Sequence, residues 1–129
     1  MPKQTLHLLD GEFSVHSFVP ETPVPQVVLQ SDIFFIGKTA DELSIVCSSD
    51  LKLESDEQED GWKSLEVIGP LGFSLTGILS DISGVLSAAD ISIFVISTFD
   101  TDYILVKSKN VEAAIIHLEK AGYKIRAEI

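Results

Sequence analysis

One short segment of the chain, residues 97–102, combines two carboxylates and three hydroxyls with one aromatic ring. Its sequence, Ser-Thr-Phe-Asp-Thr-Asp, lies between two apolar runs, so we expect it at the tip of a hairpin, where aspartate is common. Asp100 is predicted to be a turn residue. Asp102 begins the following strand and can point inward, where an unpaired carboxylate is costly and a cationic partner would relieve that cost. Asp102 is therefore either a ligand-binding carboxylate or a structural one.

A second segment, residues 69–77, is rich in glycine and leads into a predicted helix. The first amides of a helix have no intrahelical acceptor, and the helix dipole favours an anion beside them. Gly77, in the first turn, would let a ligand approach the backbone, or it could make room for a hairpin packed across it. Together the two segments could hold the opposite charges of a small zwitterion.

The remaining reactive side chains do not predict an active site or a metal site. His7, His16 and His117 lie far apart and lack metal-ligand spacing, so we expect surface or hydrogen-bonded histidines. Cys47 is the single cysteine and ends an apolar strand, which favours a core position. The run Gly37–Thr39 (GKT) lacks the glycine five positions earlier that a phosphate-binding loop requires. We predict no catalytic residues, no metal and no cofactor.

The charge of the chain limits its partners. There are 20 acidic and 9 basic residues, a net charge of −11, so phosphate backbones and anionic membranes would be repelled. No stretch approaches the ~18 apolar residues of a membrane helix, and the first residues lack the apolar run of a signal peptide. A single cysteine excludes an intrachain disulfide. These features predict a cytoplasmic protein that binds neither nucleic acid nor membranes.

Hydrophobic periodicity predicts a regular order of strands and helices in the second half. Apolar residues recur at helical spacing from Leu75 to Ala89 and again from Val111 to Leu118, where Asn110 is expected to cap the helix. Short β-branched and aromatic runs predict four strands. These strands are Ser64–Ile68, Ile91–Thr98, Tyr103–Lys107 and Tyr123–Ile129. The order β-α-β-β-α-β is that of a ferredoxin-like α+β fold.

The first half is predicted to consist mostly of strands. The four candidate strands are Thr5–Leu9, Glu12–Val19, Asp32–Gly37 and Glu42–Cys47. Three prolines between residues 20 and 25 forbid a regular helix, so we expect an irregular connection or a short turn there. Residues 54–60 (ESDEQED) carry five acidic side chains and predict a solvated linker. Two units result, a partial copy of the fold at 1–58 and a complete one at 60–129.

Specific segments of this chain resemble the ACT family of small-molecule regulatory domains. The stretch LTGILSDISGVLSAADISIFVISTFDTDYILVK, Leu75–Lys107, is similar to the tandem-ACT type of the cytosolic arginine sensors called CASTOR. FFIGKTADELSIVCSS and the run beginning at Gly61 (GWKSL) are similar to corresponding parts of that family. The resemblance covers nearly the whole chain and implies a short, bacterial relative, with a partial ACT-like unit followed by an ACT domain.

The resemblance implies binding of a free amino acid at an interface between ACT units, without catalysis. Gly77 and Ile78 match the positions that receive the amino-acid backbone, and Thr98, Phe99 and Asp102 match the hairpin positions that hold the ligand side chain. Those sensors contain four ACT units in one chain, so a chain with two units would need a homodimer. Thr76 stands where the family has proline, which puts the ligand preference in doubt.

Three functional classes remain open at the level of the sequence. The first is an amino-acid sensor that reports its ligand to a regulated protein partner. The second is a structural or protein-interaction module that kept the ACT fold and lost the ligand, since many ferredoxin-like folds bind nothing small. The third, an enzyme, is disfavoured because paired catalytic groups are missing.

Overall fold

The computed structural model describes residues 3–68 and 75–127, with the side chains of residues 75 and 76 left out. Within these ranges the chain forms eight strands, three α-helices and one short 3-10 helix. The strands are β1 (Thr5–Leu8), β2 (Phe13–Phe18), β3 (Phe34–Lys38), β4 (Leu43–Ser48), β5 (Glu57–Ile68), β6 (Ile93–Ser97), β7 (Asp102–Lys107) and β8 (Lys124–Ala127). The helices are α1 (Gln26–Leu29), α2 (Leu75–Ala88) and α3 (Val111–Lys120), and the 3-10 turn is Ser108–Asn110.

The chain divides into two compact units, one of which consists of two segments that are separate in sequence. One unit, the N-terminal unit, runs from Gly11 to Trp62. The other, the C-terminal unit, joins the segment up to Asp10 with the chain from Lys63 onward. This division differs from the predicted boundary near residue 59, because β1 lies in the C-terminal unit. Strand β5 gives its first half to one unit and its second half to the other.

The C-terminal unit has the ferredoxin-like α+β arrangement that the sequence predicted. Its strand order is β6-β7-β5-β1-β8. β1 pairs antiparallel with β5 and parallel with β8, so the N-terminal strand lies between two strands of the C-terminal half. Apolar residues of α2 and α3 pack on one face of this sheet. The fully buried members of that core are Leu6, Leu65, Ile82, Leu86, Ile104, Val106, Ala114 and Leu118.

The N-terminal unit has the strand order β3-β4-β2-β5, which is the order of the C-terminal unit without an inserted strand such as β1, and it has only one short helix. The four predicted strands are present here and in β1, with ends shifted by one or two residues. The four-residue helix α1 begins after Pro25, in agreement with the predicted short turn. Residues 49–56 take the place of a second helix, and Leu51 and Leu53 of this segment pack on the core around Ile45 and Cys47.

Two local predictions were wrong. The acidic run was expected to be a linker, but Glu57–Asp60 belong to β5, since the backbone pairs with β2 while the acidic side chains stay exposed. The strand shifts register between Phe13 and Val15, near Gly61, whose φ of 82° suits glycine. Asn110 makes no side-chain cap bond to α3, because a 3-10 turn precedes that helix.

None of the helices in the described ranges is long and apolar enough to cross a membrane. Most of the glycine-rich segment, residues 69–74, and the last two residues of the predicted final strand lie outside the described residues.

Candidate functional site

The tip between β6 and β7 is a tight turn held by two threonines. The amide of Thr98 donates to the Thr101 carbonyl at 2.8 Å. The Thr98 hydroxyl donates to the same carbonyl at 3.1 Å, and it accepts a hydrogen bond from the Thr101 amide at 3.2 Å. Thr98 is therefore a turn residue whose hydroxyl is engaged within the turn.

Asp102 is a buried carboxylate that accepts a hydrogen bond from a hydroxyl. It is 4% exposed, and the Ser97 hydroxyl across the hairpin donates to its Oδ1 at 2.5 Å. Among the described residues, Asp102 has no salt-bridge partner. A buried carboxylate of this kind is stabilised by a cationic or hydrogen-bonding ligand. The predicted inward orientation of Asp102 is confirmed.

The hairpin tip is joined to the end of β5. The buried Thr101 hydroxyl donates to the Val67 carbonyl at 2.6 Å. One residue beyond Val67 the strand ends, and six residues separate its end from the start of α2. The hairpin tip thus lies at the edge of the sheet from which the chain continues into α2.

Gly77 and Ile78 lie in the first turn of α2, where the backbone amides have no intrahelical acceptor. Gly77 is exposed, and no acidic side chain occupies this turn. The Ile78 side chain is 8% exposed and belongs to the core, so only its backbone could face a ligand. Phe99 is fully exposed at the hairpin tip, so the structure does not bring it together with Asp102.

Comparison with known proteins gives matches over both units. The ACT domain family matches residues 57–120, and a second family, described as an N-terminal domain, matches residues 11–51. The mouse (Mus musculus) "Cytosolic arginine sensor for mTORC1 subunit 1" is 41% identical over 130 residues, 93% of this chain and 39% of the sensor. A crystal structure of an Agrobacterium tumefaciens protein has a TM-score of 0.90 and 33% identity, covering 100% of this chain and 96% of that chain. The chain belongs to the ACT-domain family.

The aspartate kinase of Synechocystis shares the fold of this ACT chain. Its TM-score is 0.71 at 15% identity, over 98% of this chain and 28% of the kinase. The ACT chain thus spans well under half the length of the mouse sensor and of this kinase.

Two residues of this ACT site, Ser97 and Thr101, were not assigned from the sequence. Both lie in the polar segment, but only their partners show their roles: Ser97 faces Asp102 across the hairpin, and Thr101 bonds to β5. The strand register could have indicated Ser97. Asp102 is in phase with the core residues Ile104 and Val106, and its opposite residue in a two-strand hairpin is Ser97.

The ACT chain also contains a serine, a histidine and an aspartate close together in the N-terminal unit, but they do not form a nucleophile. Asp60 accepts hydrogen bonds from Ser14 and Gln58, each at 2.6 Å, and these bonds lower the pKa of Asp60. The Nδ1 atom of His16 lies 2.9 Å from Ser55 Oγ, and burial lowers the pKa of His16. No serine is thus bonded to a histidine that the aspartate orients. The described residues contain no group of three or more candidate metal ligands.

The sequence predicted that each histidine is exposed or hydrogen-bonded, and this was wrong for the Nε2 atom of His16. His16 is fully buried, and its Nε2 has no hydrogen-bond partner among the described residues.

Proposed function

We propose that this chain binds a free amino acid at the edge formed by the start of α2 and the β6–β7 hairpin, and that it performs no catalysis. The observation that supports this most directly is the buried Asp102 carboxylate, which has no salt-bridge partner among the described residues. The relationship to ACT domains and to a cytosolic arginine sensor supports a regulatory role in the cytoplasm.

Charge complementarity defines how the ligand would be held. The free amides around Gly77 and Ile78 would receive its carboxylate, because the positive end of the helix dipole lies there. Asp102 would receive its positive group through a charge-assisted hydrogen bond. Thr98 would keep the hairpin closed beside the ligand, and Phe99 would fold over it. Each half of a zwitterion then meets the opposite charge.

The first prediction concerns the charge of Asp102. A thermal-shift screen with the twenty amino acids would identify the ligand, since ligand at ~100 times its Kd adds about 2.7 kcal/mol to stability. Asp102→Asn keeps an oxygen for the Ser97 hydroxyl and removes the charge. We expect it to weaken binding by about 1.5–3 kcal/mol in calorimetric titration, the usual contribution of a hydrogen bond to a charged group.

Three variants control this experiment. Ser97→Ala removes the hydrogen bond to Asp102 but keeps the charge, so it should retain most of the affinity. Asp100→Ala changes an exposed turn residue and should bind like the parent chain. Gly77→Val should block binding by crowding the backbone. Unchanged affinity in Asp102→Asn, with melting curves showing an intact fold, would contradict this site.

We also propose that the chain forms a homodimer through β6 and α2. β6 pairs with β7 on one side, and its other edge has no partner strand among the described residues. Beside it lies an open groove of about 580 Å³, lined mostly by small residues of α2 and the following turn. These are Ser80, Ser83, Gly84, Ser87 and Ser92. Among the described residues, Asp90 is the one charged residue lining this groove, so two copies of an acidic chain could approach here with little repulsion.

The second prediction is therefore a mass of about twice 14.1 kDa in light scattering at micromolar concentration. Gly84→Arg should give a monomer, because the large cation fills the groove on both copies. Gly84→Ala is the matched control and should remain dimeric, since an added Cβ meets no atom within 4 Å. A monomeric parent chain would contradict the dimer and leave the ligand site untouched.

A protein-interaction module without a ligand is the second candidate function. The observation in its favour is Phe99, a large apolar side chain that is fully exposed at the hairpin tip. If no amino acid changes the melting temperature in the screen, this function is favoured, and Phe99 is the first residue to alter in a search for a regulated protein partner.

A further inference from the structure

Residues 49–56 of the N-terminal unit, here called the strap, cover one face of the sheet at the position of the missing second helix. Leu51 and Leu53 of the strap pack on the buried core of the unit. The strap is thus part of the packed structure, although it contains no regular helix or strand.

Both ends of the strap are attached to β2 and its flanking residues through the backbone. The Ser49 amide donates to the Glu12 carbonyl at 2.9 Å. At the other end, the Asp56 amide donates to the Ser17 carbonyl at 3.0 Å, and the Val19 amide donates to the Asp56 carboxylate at 3.1 Å. These bonds fix the course of the strap.

Between these ends, His16 holds the strap through one ring nitrogen. Its Nδ1 is 2.9 Å from the Ser55 hydroxyl, and its ring stacks on Phe18 with the centroids 6.1 Å apart. The imidazole is fully buried, and Nε2 has no partner among the described residues. In the neutral form only one nitrogen is therefore left unsatisfied.

A second proton on this ring would be poorly accommodated. The imidazolium would place a charge and a donor without an acceptor in a buried site. Asp60 on β5 is the nearby carboxylate, but it is exposed and already accepts hydrogen bonds from Ser14 and Gln58. In the N-terminal unit β5 also carries Glu57 and Glu59, which lie opposite Ser17 and Val15 and therefore on the other face of the sheet. The remaining titratable residues on the neighbouring elements are Glu42 just before β4, Cys47 on β4, and Asp50, Lys52, Glu54 and Asp56 in the strap; α1 carries none.

We propose that the strap is a pH-sensitive cover of the N-terminal unit, and that protonation of His16 releases it. The buried ring is accommodated only when neutral. When the strap opens, water reaches the His16 ring, and the ring can then take up a proton as the pH falls. Burial lowers the pKa of His16 in the closed state, so the closed state binds the proton less readily than the open state. The negative charge of Asp60 partly opposes this shift. The closed strap is then fully favoured above the ordinary histidine pKa of about 6.5 and is progressively lost as the pH falls below it.

The test is amide hydrogen exchange of the full chain, followed by NMR between about pH 7.5 and pH 5. We expect the protection factor of the Asp56 amide, which bonds to Ser17, to fall by up to about tenfold per pH unit below about pH 6.5, as one-proton linkage requires. Ile104 in the core of the C-terminal unit is the internal reference and should keep its protection. Uniform protection of Asp56 across this range would overturn the proposal.

Variants separate His16 from the other titratable groups. His16→Phe keeps a ring on Phe18 and cannot be protonated, so the pH dependence of the Asp56 amide should disappear. Ser55→Ala keeps the histidine and removes its hydrogen bond, so the strap should exchange faster already at neutral pH. His117→Gln, at an exposed position of α3, should behave like the parent chain. If His16→Phe keeps the same pH dependence, or fails to fold while Ser55→Ala exchanges like the parent, the proposal is wrong.

Discussion

The two tyrosines of the chain each place a hydroxyl beside a carboxylate. Tyr123 is buried and donates to Asp81, which also pairs with Lys3 at 2.9 Å. Tyr103 donates to Glu66 at 3.2 Å. Burial raises the pKa of both phenols, and the neighbouring carboxylates raise it further. Each phenol is a hydrogen-bond donor only while it keeps its proton.

The third prediction follows from the raised pKa values of the two phenols. A raised pKa in the folded state means that the stabilisation is fully present below the ordinary tyrosine pKa of about 10 and is lost as the pH rises above it. Ultraviolet titration of tyrosinate should therefore show little ionisation at about pH 10 in the folded protein, whereas both tyrosines should titrate near about pH 10 in denaturant. Appearance of half the signal at that pH in the folded chain would contradict the assignment.

At the scale of elements, a buried side-chain bond joins the tip of the β6–β7 hairpin to β5. The fourth prediction is that Thr101→Val, which removes the hydroxyl and keeps the shape, lowers the free energy of unfolding by about 1–2 kcal/mol, because the Val67 carbonyl loses a buried donor. Thr39→Val is the control: the Thr39 hydroxyl accepts two exposed amide bonds, so its loss should cost less than about 0.5 kcal/mol. Urea unfolding measures both, and equal losses would contradict the special role of Thr101.

The elements of the C-terminal unit were largely predictable, because their apolar residues keep a clear period. Asp102, Ile104 and Val106 alternate with residues on the other face, and this period also indicated that Asp102 points inward. The partner of β1 was not predictable. Four residues with strand character do not reveal which of several distant strands they will join.

The N-terminal unit shows where periodicity fails. In β2 the buried side chains at positions 14, 16 and 18 include a serine and a histidine, while the half-buried Val15 lies on the other face. Polarity alone would place Val15 inside and His16 outside. The strap reverses this expectation, because its hydroxyls form hydrogen bonds with Ser14 and with Nδ1 of His16.

At the scale of the whole molecule, the acidic charge is distributed unevenly. Residues 11–62 contain 11 acidic and 2 basic residues, and the rest of the chain contains 9 acidic and 7 basic residues. The N-terminal unit therefore carries most of the net charge of −11. Glu57 and Glu59 are exposed on the same face of β5, where like charges repel.

The fifth prediction is that added sodium chloride raises the melting temperature from its value at low ionic strength, because salt screens this repulsion. Glu57→Gln with Glu59→Gln should raise the melting temperature at low salt and reduce its salt dependence. The same exchange at Glu112 and Glu119 of α3, in the more balanced unit, is the control and should change the salt dependence less. A melting temperature independent of salt in all three proteins would contradict the expectation.

Strand β1 has a consequence for synthesis of the chain on the ribosome. Among the described strands it is made first, and its parallel neighbour β8 is made last, with Leu6 opposite Ile125. At ~5–20 residues per second, translation from the end of the N-terminal unit to β8 takes about 3 to 13 s. During that time residues 11–62 form a contiguous stretch that can fold, and β1 can pair with β5, but the other edge of β1 stays open until β8 is made. The nascent chain therefore exposes one edge of a short apolar strand to chaperones for seconds, until β8 has been synthesised.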